Sequence, residues 1–148
     1  MDLHPDFREF LLLLNSHHVE YVVVGAHALA FHGHPRLTRD IDFFVLVSPE
    51  NAKRLMAVLV EFGFGSTGVT EADLAKSGKT FMLGVAPYRI DILTSISGVE
   101  FGEVYSRRVM GDLAGIPTAF ISREDLITNK RSSGRMKDLG DVESMGEK

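Results

Sequence analysis

The sequence has no cysteine. This excludes a disulfide framework and any thiolate-held metal, and it fits a reducing, cytoplasmic setting. An excess of positive charge is missing as well: 16 Lys and Arg stand against 20 Asp and Glu, for a formal net charge of −4. A chain with that balance has no broadly basic surface for indiscriminate nucleic-acid binding. Local basic patches are still open to it, and one lies in the C-terminal part. Apolar stretches such as Tyr21 to Val24 and Phe43 to Val47 are far shorter than the roughly 20 apolar residues that cross a bilayer. The opening MDLHPDFREF carries acids and no basic leader, so no signal peptide and no membrane partner are expected. Repeats, low-complexity tracts and interdomain linkers do not occur.

What remains is ordinary globular composition, 45% hydrophobic and 24% charged over 148 residues. One domain, residues 1–148, is expected. A chain of this length buries roughly 70% of its unfolded surface and needs no covalent or metal staple to fold.

Pro5 to Asn15 reads as a helix, with Phe7, Phe10, Leu11 and Leu14 on one face. Val19 to Val24 reads as a buried strand ending at Gly25, where a positive φ or a close backbone approach is permitted. Ala26 to Phe31 is a short helical pattern whose first N–H groups are free to meet an anion. Ile41 to Val47 is a second strand. Ser48-Pro49-Glu50 starts a helix that runs to Phe62 and stops at Gly63. Gly65 to Gly68 reads as a loop, and Thr70 to Asp73 as a capping box for a short helix. Thr80 to Val85 and Tyr88 to Leu93 read as strands joined by an Ala86-Pro87 turn. Glu100 to Ser106 is a short helix or turn. Val109 to Leu113 and Ile116 to Ile121 form a hairpin around Ala114-Gly115. Ser122 caps a helix that Ser132-Ser133-Gly134 interrupts, and a last helix starts near Arg135. Together these give an α/β (α+β) chain: a mixed, twisted sheet flanked by helices.

The residues with chemical potential are fewer. His17-His18 are adjacent in an extended segment, so their side chains diverge and read as solvated. His27, His32 and His34 do not share a helical face, and Gly33 breaks the helix, which argues against a histidine metal site. Asp40 and Asp42 lie two apart on a strand and share a face, with Ile41 turned to the core. Such a pair repels unless a cation joins it, and its oxygen-rich donor set suits Mg²⁺. The competing reading is structural, with Asp40 capping a turn and Asp42 in an ion pair. Asp91, flanked by Ile90 and Ile92, needs a partner of its own. Arg89, on the same face, is one candidate; a cation shared with Asp40 and Asp42 is the other.

Gly25-Ala26, then Pro35-Arg36-Leu37-Thr38-Arg39-Asp40-Ile41-Asp42, then Asp91 on a later strand resemble the nucleotidyltransferase superfamily of the DNA polymerase β type. Within it they are similar to a small bacterial branch that includes DUF6036, AbiEii-like and MenT-like proteins. Lys130, Arg135, Lys137-Asp138 and Asp141 resemble a Lys…Arg-x-(Arg/Lys)-Asp-x-x-Asp pattern of the same proteins. Gly25-Ala26 departs from the Gly-Gly or Gly-Ser usual there and lacks one phosphate contact. Haloacid dehalogenase-type phosphatases fit worse, since Phe44 stands where they need Thr. Nucleotide-sugar glycosyltransferases usually need a much larger domain.

The resemblance implies a minimal nucleotidyltransferase fold and transfer of a nucleotide from an NTP to an acceptor hydroxyl. It implies two Mg²⁺ ions, or Mn²⁺, held by Asp40, Asp42 and Asp91, with the same three residues catalytic. It also implies nucleotide contacts from Gly25, Ala26, Thr38, Arg39 and Lys130. Arg36 either assists or pairs with an acid. Asp138 either pairs with Arg135 or lines the nucleotide pocket. The acceptor is left open between RNA and protein, with a toxin–antitoxin role among the outcomes. A homodimer or a cognate protein partner is also open. The alternative is a non-catalytic nucleotide-binding or regulatory member of the fold.

Overall fold

Alternation along β2 (Asp40–Val45) decides the layering. Consecutive side chains of a strand point to opposite faces. Phe43 therefore meets Phe10 on one side of the sheet, with ring centroids 5.6 Å apart, while Phe44 meets Phe101 on the other, at 5.1 Å. The computed structural model describes residues 3–65, 67–84 and 87–146. A six-stranded sheet runs through it in the order β3-β4-β2-β1-β6-β5, with β1 Tyr21–Val24, β3 Thr80–Leu83, β4 Arg89–Leu93, β5 Val109–Leu113 and β6 Ile116–Phe120. The pairs β2·β4 and β1·β6 are parallel and the others antiparallel, so the sheet is mixed as expected.

Helices α1 (Pro5–Ser16) and α3 (Pro49–Phe62) pack together over the Phe43 face, and α4 (Glu71–Leu74) rests on α3. Over the Phe44 face lie α2 (Gly25–Phe31), α5 (Phe101–Ser106) and α6 (Arg123–Ser133), with α7 (Met136–Ser144) against α6. Phe10, Leu11 and Leu14 of α1 are wholly buried, as their spacing predicts. Each such side chain contributes about 1.5–3 kcal/mol by leaving water.

Local signals hold at most boundaries. The Ser48 Oγ accepts the Asn51 N–H at 3.1 Å, and Gly63 ends α3 at φ 97°. Thr70 and Asp73 exchange both capping-box bonds. Ala114 and Gly115 both take positive φ, the twist a two-residue hairpin needs. Some boundaries move. The first strand starts at Tyr21 rather than Val19, because the segment before it is drawn to the Asn51 side chain. The buried Asn51 amide accepts from the Glu20 N–H and donates to the Glu20 and Leu46 carbonyls, which ties the start of β1 to the end of β2. Helix α6 continues through Ser133 and stops only at Gly134, φ 68°. The expected Gly65 to Gly68 loop, the Val85 strand end and the Ala86-Pro87 turn fall in part outside the described residues. Among those described, no helix is long and apolar enough to cross a membrane.

Candidate functional site

Strand register builds the centre of the site. Parallel pairing of β2 with β4 sets Asp42 beside Asp91 and Asp40 beside Arg89. Antiparallel pairing of β1 with β2 sets Val24 opposite Asp42, so the next residue, Gly25, turns directly over that carboxylate. Gly25 has φ +69°, and a Cβ at this position would collide with the Asp42 Oδ2. Glycine is required twice over, by conformation and by contact. No side chain caps the start of α2 at Val24.

The three carboxylates have one guanidinium among them. The Arg89 Nε donates to the Asp91 Oδ1 at 2.8 Å, and its Nη2 donates to the Asp91 Oδ2 and the Asp40 Oδ2, each at 3.1 Å. The Asp91 side chain is 9% exposed and that of Asp40 39%. Burial, the hydrogen bond with Asp91, and the charges of Asp91 and Asp40 push Asp42 up to about 7, against the smaller opposing effect of Arg89. Burial and two neighbouring acids thus disfavour the charged form of Asp42, and Arg89 offsets only part of that. As the side chains stand, no three of the described Asp, Glu and His residues are placed to hold one cation together. Arg89 spans two of the three carboxylates. The donor set itself, three carboxylates against the one bridging guanidinium, fits a hard divalent ion.

A second charge cluster lines the same cleft. Lys130 is buried and donates to the Asp138 Oδ1 at 3.3 Å and to the Asp141 Oδ2 at 2.9 Å. Arg36 donates to the Asp141 Oδ1 at 2.6 Å, while Arg135 and Ser133 donate to the Asp138 Oδ2 at 2.8 and 2.6 Å. Burial alone would raise Asp138. Hydrogen bonds from Ser133 and Arg135, with the charges of Lys130 and Arg135, outweigh it and hold that carboxyl below its ordinary range.

The cleft has a volume of about 580 Å³. Gly25, Ala26, Thr38, Asp40, Asp42, Asp91 and Lys130 all line it, so the structure brings most of the sequence-predicted residues together. Arg39 is not among its lining residues and its side chain is exposed. The Thr38 hydroxyl bonds to the backbone of Asp40, accepting at 3.2 Å and donating at 3.1 Å, and so fixes the start of β2. Arg36 and Asp138 resolve as ion-pair members that also line the cleft. Among the histidines, the His32 Nε2 contacts the Ile121 carbonyl at 2.8 Å, and His27 packs edge-on against Phe7.

The sequence reading missed the far wall. Ser95, Ile96 and Ser97 follow β4 and line the cleft, and the Asn129 Nδ2 donates to the Ser97 carbonyl at 3.0 Å, tying that loop to α6. Nothing in the local pattern marks these residues. Only the tie between the loop after β4 and α6 makes them neighbours.

A family model described as "Nucleotidyltransferase of unknown function (DUF6036)" matches residues 3–146. The chain belongs to this family. Nucleotidyl transfer in general is therefore the class of activity to which DUF6036 attaches it. A crystal structure from Thermotoga maritima, whose nucleotidyltransferase assignment is itself provisional, superposes with a TM-score of 0.64 at 19% identity, covering 93% of this chain and 88% of that one. At that identity the likeness establishes the fold. No curated protein matches the chain. The DUF6036 assignment joins the two ends of the sequence, because the match runs from before α1 to the end of α7.

Proposed function

We propose that this DUF6036 chain transfers a nucleotide from an NTP to an acceptor hydroxyl in a divalent-cation-dependent reaction. The observation that carries this reading is the shortage of positive charge at the cleft carboxylates. Arg89 bonds Asp40 and Asp91 and not Asp42, whose pKa is raised to about 7 by burial and by its two acidic neighbours. These three aspartates would hold Mg²⁺, as two ions, or Mn²⁺. When bound there, the cations neutralise charge on the phosphates and acidify the acceptor hydroxyl. The acceptor oxygen bonds to the α-phosphorus, the bond from that phosphorus to the α–β bridging oxygen breaks, and pyrophosphate leaves. The acceptor proton goes to solvent.

The residues lining the cleft divide by charge. Arg36, Lys130, Arg135 and Lys137 are among them, as are Gly25 and Ala26. The triphosphate belongs against these cations and backbone N–H groups. Lys130 acts through the buried network, and the exposed Lys137 and the exposed Arg135, whose Nε bonds Asp138, are placed to meet phosphate. Arg39, outside the cleft, attracts the substrate on approach. Met82, Leu93, Ser95, Ile96, Ser97 and Asn129 also line the cleft, and as uncharged side chains they suit the nucleoside.

One observation favours a second reading, in which the fold binds nucleotide without turning it over: a guanidinium already satisfies two of the three carboxylates. RNA or protein as acceptor, a toxin-like role, a cytoplasmic location, and a homodimer or cognate protein partner all belong to the first reading. The test is incubation with each α-labelled NTP, Mg²⁺ or Mn²⁺, and RNA or lysate protein, beside Asp42→Asn. Label transfer by the wild type alone supports the enzyme. Mg²⁺-dependent NTP binding in calorimetry with no transfer supports the binder, and absence of binding overturns both.

A further inference from the structure

We propose that Arg89 is a built-in counter-ion of the carboxylate cluster, which an incoming divalent cation must displace. This rests on the metal-dependent reading above. Three observations lead to it. The Arg89 fork makes two bonds to Asp91 and one to Asp40, so the guanidinium bridges residues of two strands. As the side chains stand, no three carboxylates or imidazoles among the described residues are placed to hold one cation together. The Arg89 side chain is 45% exposed and lines the cleft, so it has solvent to turn into once its bonds are broken.

The energetics favour exchange over coexistence. A guanidinium inserted between two carboxylates neutralises them and fixes their orientation. A divalent ion needs the same oxygens directly and brings twice the charge. The Arg89 fork already holds both Asp91 oxygens, at 2.8 and 3.1 Å, so guanidinium and cation compete for them, and cation affinity is set by the difference between the two bound states. The metal-free protein gains a stable, pre-arranged cluster and gives up some cation affinity for it. Strand geometry makes the arrangement unavoidable. Arg89 and Asp91 share a face of β4, and the register with β2 puts Arg89 opposite Asp40. Arg89 is thus a positioning residue. It orders the carboxylates before the cation arrives and leaves them when it does.

The test uses the whole chain, stripped with EDTA, and needs no turnover. Mn²⁺ titration by calorimetry compares the wild type with Arg89→Met, which keeps the stem and removes the charge, and with Arg89→Lys, which keeps a charge and loses the fork. The expected result is Mn²⁺ binding about tenfold tighter in Arg89→Met, with Arg89→Lys between, since tenfold corresponds to one lost competing interaction of ordinary size. The melting temperature of Arg89→Met in EDTA should fall, and added Mn²⁺ should restore more of it than in the wild type. In the wild-type protein, the Arg89 Nε–H resonance should be resolved without metal and lost or shifted on adding Mg²⁺; this readout survives even if a variant fails to fold. Equal or weaker Mn²⁺ binding in a folded Arg89→Met, or an Arg89 Nε–H resonance indifferent to saturating Mg²⁺, overturns the proposal and leaves the metal reading intact. Absence of Mn²⁺ binding in all three proteins overturns both.

Discussion

Two charge clusters line one cleft and have opposite characters. On β2 and β4, one guanidinium bridges two of three carboxylates, and Asp42 is pushed up to about 7. Between α6, α7 and the loop before β2, Asp138 and Asp141 are surrounded by Lys130, Arg36, Arg135 and the Ser133 hydroxyl, and Asp138 is pushed down. Two acids shift in opposite directions: burial and then the neighbouring acids raise Asp42, while bonds from Ser133 and Arg135 and the charges of Lys130 and Arg135 outweigh burial at Asp138. A satisfied network holds structure together. An unsatisfied one has unused capacity to bind.

The largest effect expected on this contrast comes from Asp141→Ala. It strips the buried Lys130 of one of its two partners and frees Arg36 from its link to α7. Breaking a buried ion pair on one side costs about 3–5 kcal/mol, to be read from urea denaturation. Gly25→Ala comes next. Its methyl would enter the Asp42 carboxylate from a backbone at φ +69°, with an expected loss of roughly 1–3 kcal/mol and abolition of label transfer.

Asp42→Asn should act in the other direction on stability. The folded state holds the Asp42 proton more tightly than the unfolded chain does. Its stabilising contribution is therefore full below the ordinary carboxylate range and is lost as pH rises through about 7. In EDTA, the melting temperature of the wild type should decline relative to that of Asp42→Asn from the ordinary carboxylate range up to about pH 7 and level off above it, although the variant transfers no label. The smallest change in stability is expected for Arg135→Ala. Its side chain is 74% exposed, so denaturation should shift by no more than about 0.5 kcal/mol, while tripolyphosphate binding weakens measurably. Equal losses of stability for Asp141→Ala and Arg135→Ala would erase the distinction between a buried network and an exposed phosphate contact.

Much of this contrast is legible in residue order, and part of it is not. Period-two spacing places Asp40 and Asp42 on one face with Ile41 behind, because that relation lies within one strand. The caps at Ser48, Thr70 and Ser122 are local in the same way. Arg89 was readable as an Asp91 partner, since both lie on β4. Its bond to Asp40 depends on the β2·β4 register, which no local pattern carries. The burial of Lys130 and the Arg36–Asp141 bond depend on α7 folding back against α6 and the loop before β2. Lys130, read from sequence as a phosphate contact, is already committed to two acids. The Ser95 to Ser97 wall carries no motif at all.

The Asn51 amide gives the cleft its zero mark. By bonding Glu20 and Leu46, it indexes two antiparallel strands against each other at the end remote from the carboxylates. From that mark, residue count alone delivers Gly25 over Asp42. One residue inserted into β2 between Asp42 and Leu46 would turn Asp40 and Asp42 to the other face, and one inserted into β1 would move Gly25 off Asp42. The connection from His32 to Arg39 lies outside the indexed span. Apart from Arg36, which bonds Asp141, and Thr38, which bonds the Asp40 backbone, its residues bear on what enters the cleft rather than on where the carboxylates stand.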